Sequence, residues 1–275
     1  MGTNVCVLAS GSSGNCTLIH TDTTTILIDA GLPGKVAVER LLAADVHPSD
    51  IDAILITHEH TDHVSGLGTL SRALDIPVYA SEATWKALDA NPRVCGPVRE
   101  KNKRVIAAGE LFNVKDLAIQ PFPVPHDAAG PLGYCIIDGA RKVGIATDAG
   151  HATQEMKQQL ADCDLLVIEA NHDVEMLMVG SYPWALKRRI LSDLGHLSNE
   201  AAGEFLGSIV TERTSNILLA HLSKENNLPE LALLTVIAIL RLNGIAVGKD
   251  LRVGLTYRNR MTRPIKIEKG YCKVC

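Results

Sequence analysis

Apolar positions along the chain fall into short runs closed by small or polar residues, and the spacing within each run separates strands from helices. Residues 5–9, 16–20 and 25–28 read as strands. A loop of small residues, 10–15, joins the first two, and a polar turn at 21–24 separates the next pair. Residues 35–44 have helical spacing, closed by Val46-His47-Pro48, and residues 51–57 form a further apolar run. Helices at 66–74 and 81–88, the second opened by Ser81-Glu82, bracket a short strand at 77–80. Strand-like runs then recur at 111–114, 117–121, 133–138 and 141–146, with the polar turns of an antiparallel meander. After them come a helix at 156–161, a strand at 165–169, a helix at 184–194 stopped by Gly195, and a helix at 199–208 capped by Ser198. A strand at 216–220, a core helix at 229–242 between Pro229 and Asn243-Gly244, and a strand at 251–255 complete the pattern. The order is strands followed by βα units, twice over, with no low-complexity linker or short-period repeat. Two sheets packed face to face with helices outside would bury such strands.

Composition narrows the class. The hydrophobic share of 46% and charged share of 21% suit a soluble globular chain, and 275 residues give ample core. With only 4% aromatic residues the core must be aliphatic, which does not favour binding built on stacked bases. Net charge is −4, but eight Lys/Arg stand against two acids from Lys249 to Cys275, a local +6 that leaves −10 elsewhere. Smaller basic groups occur at Arg99/Lys101/Lys103/Arg104 and Lys187-Arg188-Arg189. These groups could track a phosphate backbone or simply form a solvated surface. Seven scattered cysteines, several in apolar runs, fit a reducing compartment. The apolar run at 5–9 is too short for a secretory signal and the one at 231–240 too short for a bilayer, so the expectation is a cytoplasmic protein without membrane contact. The terminal Cys272-x-x-Cys275 supplies two ligands where structural zinc needs four.

The chemistry concentrates in His58-Glu59-His60-Thr61-Asp62-His63, directly after the apolar run at 51–57. Three imidazoles and a carboxylate at a strand tip can converge on one point, and they are ligands for Zn²⁺ and for harder first-row metals. Glu59 and Thr61, between them, should point elsewhere. Four further candidates end predicted strands or runs: His126, Asp148, Glu169 and His221. Any one alone reads as a turn residue; their recurrence behind the three-His motif does not.

That motif, with Asp29, His126, Asp148 and His221 in order, resembles the metallo-β-lactamase superfamily. The 10–15 loop, Glu169-Ala170-Asn171-His172-Asp173 and Gly195-His196-Leu197-Ser198 resemble more narrowly its YycJ-like (WalJ, VicX) branch. The resemblance covers nearly the whole chain. It implies one α/β domain over residues 1–275, a four-layer αββα sandwich holding two divalent metals, Zn²⁺ or Mn²⁺ with Fe²⁺ as a further option. By the same resemblance His58, His60 and His126 hold one metal, Asp62, His63 and His221 the other, and Asp148 bridges them. Two cations at close range also need a shared anion on physical grounds. Asp29 orients a ligating imidazole or, more plainly, caps a turn before Gly31.

A paired-metal site suits attack of a metal-activated hydroxide on phosphorus or on a carbonyl. A phosphodiester also needs its leaving oxygen stabilised, and the resemblance implies His196 as the acid with Glu169 orienting it; the plainer alternative for His196 is a linker residue between helices. Ser12, Asn15, His172, Lys187 and Arg188 are candidates for substrate contact, whereas His151 reads as a loop residue. The branch resemblance implies a metal-dependent DNA nuclease, 5′-to-3′ exonuclease-like. The stretch from Asp148 to His221 has no room for the extra domain of the RNA-processing β-CASP relatives. The alternative is a small-molecule metallo-hydrolase of the cyclic-phosphate phosphodiesterase, lactonase or thioesterase type. A non-catalytic metal-binding protein is a third class, against which the retention of every ligand position argues.

Overall fold

In the computed structural model, residues 2–267 are described. The Cys272/Cys275 pair lies outside them. The first half of the chain runs β1 (Thr3–Ala9), β2 (Cys16–His20), β3 (Thr25–Ile28), α1 (Gly34–Ala43), β4 (Ala53–Leu55), α2 (Thr61–Val64), α3 (Leu67–Leu74), β5 (Val78–Ser81), α4 (Glu82–Ala90) and β6 (Lys103–Ile106). The second runs β7 (Phe112–Val114), β8 (Leu117–Pro123), β9 (Leu132–Asp138), β10 (Arg141–Ala146), α5 (Gln154–Leu160), β11 (Leu165–Glu169), α6 (Val174–Val179), α7 (Trp184–Ile190), α8 (Asn199–Ile209), β12 (Asn216–Ala220), α9 (Pro229–Leu242), β13 (Arg252–Leu255) and β14 (Ile265–Ile267).

Two seven-stranded sheets result, ordered β14-β1-β2-β3-β4-β5-β6 and β13-β12-β11-β10-β9-β8-β7. Each is half antiparallel and half parallel. β14 through β3 pair antiparallel and β3 through β6 parallel. β7 through β10 pair antiparallel and β10 through β13 parallel. The twofold recurrence of strands and βα units is thus one sheet per recurrence, with β14 closing back onto the first.

Alternation along the strands builds the layers. Val5 and Val7 of β1 face the second sheet and pack with Tyr134 and Ile136 of β9, while Cys6 and Leu8 face the outer helices. Leu41 of α1, Leu67 of α3 and Trp85 of α4 cover the outer face of the first sheet. Met156 of α5, Phe205 of α8 and Val236 of α9 cover that of the second. Strands buried on both faces read as unbroken apolar runs, which is why β3, β4, β11 and β12 stand out in the sequence. The Tyr134 hydroxyl donates to Ile56 O at 2.6 Å across the interlayer core, tying β9 to the segment that leads into the histidine motif.

The boundaries differ where the site is built. The strand expected at 51–57 is laddered only over β4, and the chain then runs extended to His60 before the single turn of α2. The helix expected at 184–194 stops at Ile190, because the chain reverses through a turn closed by Gly195 N donating to Ser192 O. Five described cysteines, Cys6, Cys16, Cys95, Cys135 and Cys163, are buried free thiols.

Candidate active site and metal centre

The expected ligands converge beyond the C-terminal ends of the strands, on one rim of the sandwich. Three of the positioning residues, Asp29 after β3, Asp148 after β10 and His221 after β12, sit in the left-handed region with φ of 63°, 58° and 54°. Asp and His tolerate this conformation better than branched residues, at a cost of roughly 1–3 kcal/mol each. A left-handed residue turns the backbone sharply at the end of the ladder and aims the side chain across the rim rather than into either face.

Donor atoms of His58, His60 and His126 lie within 4.8 Å of one another. So do those of Asp62, His63 and His221, and those of His58, His63 and Asp148. His126 Nε2 stands 3.3 Å from His60 Nδ1, and His58 Nε2 is buried without a hydrogen-bond partner among the described residues. Burial, helped by positive charge on His63, pushes His58 well below its ordinary value, and burial also lowers His60, so both are neutral bases. Imidazole nitrogens turned toward one another, one of them orphaned, are a poor arrangement for an imidazole cluster alone and a suitable one for a cation.

The second trio is surrounded by acids. Burial disfavours charge on His63 and His221, but Asp29 and Asp148 raise His63 well above its ordinary value, and Asp148, Asp62 and Glu169 raise His221 to about 10. Burial likewise works against ionised Asp62, Asp148 and Glu169. The histidines outweigh it, holding all three below the usual carboxylate range, Glu169 at about 2. A divalent cation here would take the place of those imidazole protons against the same carboxylates.

The ligands are held by a second layer. His63 Nδ1 donates to Asp29 Oδ2 at 2.7 Å, and Asp29 Oδ1 also accepts from Thr57 N at 2.8 Å. His126 Nδ1 donates to Gly195 O at 3.1 Å. Glu169 Oε1 accepts from both His221 Nδ1 at 2.9 Å and His196 Nδ1 at 2.8 Å, while its Oε2 accepts from Ala149 N and Leu197 N at 2.9 and 3.1 Å. Glu59 points away, as expected, accepting from Ala129 N at 2.8 Å.

The remaining candidates divide. Ser12 is exposed and lines a cavity of about 170 Å³ together with His196 and His221. Asn15 is buried beneath the motif, donating to Asp62 Oδ2 at 3.1 Å and holding Gly11 N with Oδ1 at 2.8 Å, so it positions Asp62 instead of facing solvent. His172 does not reach the cavity. Its backbone bridges Ser198, its ring is buried with neither nitrogen hydrogen-bonded among the described residues, and burial pushes it down to about 4. Lys187 is also turned away, its ammonium donating to Met178 O and Gly180 O, both at 2.7 Å. Arg188 is exposed but outside the cavity lining, whereas Arg189 is in it. From the basic C-terminal region, Arg258 reaches the rim, donating to Leu222 O at 3.0 Å and packing against Gly11. His151 is an exposed loop residue, as expected.

Thr57, Asn171 and Ser10 were not singled out by the sequence. Thr57 Oγ1 contacts Asp29, His58 and His63. Asn171 Nδ2 donates to His221 O at 2.8 Å and Ser10 Oγ accepts from His221 N at 2.8 Å. Their signal was adjacency: Thr57 closes the run before the motif, Asn171 lies two residues past Glu169, and Ser10 opens the small-residue loop.

Residues 24–221 match the family model described as "Beta-lactamase superfamily domain". The chain is 42% identical over 253 residues to "Exodeoxyribonuclease YycJ" of Bacillus anthracis, covering 92% of this chain and 95% of that one. It is 43% identical over 253 residues to "Exodeoxyribonuclease WalJ" of Streptococcus pneumoniae serotype 2, covering 92% and 94%. Among solved structures it is similar to the metallo-β-lactamase fold protein YhfI from Bacillus subtilis, with TM-score 0.71 at 16% identity over 95% of this chain and 99% of that one. Paired seven-stranded sheets, a histidine-carboxylate rim suited to divalent metal, and identity above 40% along nearly its full length make this chain a member of the metallo-β-lactamase superfamily, in its YycJ/WalJ group.

Proposed function

We propose that the protein is a dinuclear metal-dependent phosphodiesterase that degrades DNA as a 5′-to-3′ exonuclease. The observation that carries the reading is the Glu169–His196 pair standing beside two ligand trios that share one rim, in a chain whose relatives of 42–43% identity are named exodeoxyribonucleases. His58, His60 and His126 would hold one metal, Asp62, His63 and His221 the other, with Asp148 between them. Zn²⁺ and Mn²⁺ both suit imidazole with carboxylate, and Fe²⁺ is compatible. When bound, the metals supply an activated water and offset the charge that develops on the phosphoryl oxygens.

The chain supplies the rest. Asp29 and Glu169 fix the orientation of His63 and His221 by accepting from Nδ1, which turns His63 Nε2 to within 3.2 Å of Asp148 Oδ2 and His221 Nε2 to within 3.4 Å of Asp62 Oδ2, where a metal would replace the Nε2 proton. Burial disfavours charge on His196, yet Glu169 raises it above its ordinary value, which favours the imidazolium. With Nδ1 committed to Glu169, Nε2 is the nitrogen that can donate to the leaving oxygen. The cavity of about 170 Å³ is smaller than the pockets that engulf a whole drug-sized molecule and has an arginine in its wall, so it favours one anionic group of a longer substrate over a free small molecule.

The test is purified protein with Mn²⁺ or Zn²⁺ on 5′-labelled DNA, RNA and bis-p-nitrophenyl phosphate, beside Asp62→Ala. Release of the label from DNA as the 5′-terminal mononucleotide, abolished in Asp62→Ala, is expected. Turnover that survives Asp62→Ala, or equal degradation of RNA, overturns the assignment.

A further inference from the structure

The cavity beside His196 and His221 is walled on its far side by Tyr182 and by Leu186 and Ile190 of α7. Among its described lining residues Arg189 is the only Lys or Arg. Its guanidinium forms a two-point fork with Asp127, through Nε to Oδ2 and through Nη2 to Oδ1 at 3.0 Å. Asp127 in turn stands 3.5 Å, Oδ1 to Nε2, from His126 in the first histidine trio. A cation is therefore held one carboxylate away from the first histidine trio, in the wall of a cavity of about 170 Å³.

Two features make this pair exchangeable. The Arg189 side chain is 53% exposed and Asp127 29%, so neither is locked by packing. A carboxylate and a phosphate offer the same two-oxygen face to a guanidinium, and the phosphate carries more charge. The fork keeps the guanidinium aimed at the cavity until a phosphate takes the place of the carboxylate.

We propose that Arg189 is the specificity-determining residue for the terminal nucleotide: its guanidinium leaves Asp127 to clamp the 5′-phosphate one nucleotide from the scissile bond. The proposal rests on the nuclease reading and names what makes it exonucleolytic. A strand end can bring its 5′-phosphate to Arg189, whereas an interior segment has no terminal phosphate to offer.

The test compares pTpT, TpT and bis-p-nitrophenyl phosphate as substrates of the metal-loaded protein, with thymidine 5′-monophosphate binding followed by calorimetry. Wild type should favour pTpT over TpT in kcat/KM, and Arg189→Ala should erase that preference by about ten- to a hundredfold, with Arg189→Lys intermediate. Arg189→Ala should weaken nucleotide binding by a similar factor while metal content, read by elemental analysis, holds. Asp127→Asn, which removes the competing carboxylate, should tighten it. Hydrolysis with no 5′-phosphate preference, or a preference and nucleotide affinity that survive Arg189→Ala, overturns the clamp. Failure to hydrolyse all three substrates overturns the nuclease reading itself.

Discussion

Glu169 joins the two halves of the chemistry. One carboxylate oxygen holds His221 in the second trio and His196 toward the cavity. Replacing His196 and replacing Glu169 should therefore differ. His196→Ala removes only the proton donor and should lower kcat by about 10²–10⁴ with both metals retained, as read by elemental analysis. Glu169→Gln should lose rate and also metal, because His221 loses the charge that fixes it. The pH profile separates the roles further. As the proposed acid His196 would act protonated, and its ionisation lies above the ordinary value, so kcat should fall on the alkaline side. In Glu169→Gln that limb should move to lower pH; an unmoved limb removes His196 from the mechanism. Asp29 is the parallel case behind His63: Asp29→Asn keeps the shape but not the charge and should weaken metal binding by about 10–100-fold in a chelator competition. The residues that converge on the rim could be picked out in the sequence because their side chains carry the chemistry. Lys187 and His172 misled because residue type does not reveal which way a side chain turns. Their fates depend on the carbonyls of Met178 and Gly180 and on the bridge at Ser198, none of which a linear spacing encodes.

Elements meet at the site through two glycines. A Cβ on Gly31 would lie 1.6 Å from Asp62 O, so the turn after β3 can lie against α2 only if that position is bare. A Cβ on Gly195 would lie 2.1 Å from Ile190 O and 2.4 Å from Arg189 O. That contact is where α7 folds back to present His196, and the Gly195 carbonyl is the same one that orients His126. Gly195→Ala should therefore destabilise the fold by about 1–3 kcal/mol in thermal or denaturant unfolding and disturb both the acid and the first metal trio. A variant of wild-type stability with normal turnover would show that the turn can shift freely. Most elements could be read from apolar runs because buried strands and amphipathic helices advertise their period. The exceptions were β6, whose Lys103 and Arg104 disguise a strand in a basic stretch, β14, three residues of edge strand, and α6, whose six residues are too few to show a helical period. α2 was invisible for another reason: it is a single turn of four residues, two of which, Asp62 and His63, are site chemistry.

At the scale of the molecule, the buried charges link stability, pH and metal. His221, raised to about 10, contributes stability that is complete below the ordinary histidine value near 6.5 and is lost as pH rises toward 10. Glu169, depressed to about 2, contributes stability present above the ordinary value near 4.5 and lost as pH falls toward 2. The metal-free protein should accordingly be most stable between those limits, from about pH 4.5 to 6.5, and weaken above. Metal binding runs the other way, because the cation must displace the protons of His63 and His221 and competes better as pH rises. The difference in Tm between metal-loaded and chelator-stripped protein should therefore widen from pH 6 to pH 9. At a free metal concentration a hundredfold above Kd the gain is about 2.7 kcal/mol, or roughly 5–10 °C for a chain of this size. The proposed ligands are drawn from both sheets, His58, His60, Asp62 and His63 from the first and His126, Asp148 and His221 from the second, so the gain should appear as a shift of one cooperative transition. A second transition that leaves one half of the chain indifferent to metal would mean that the two sheets do not share the site.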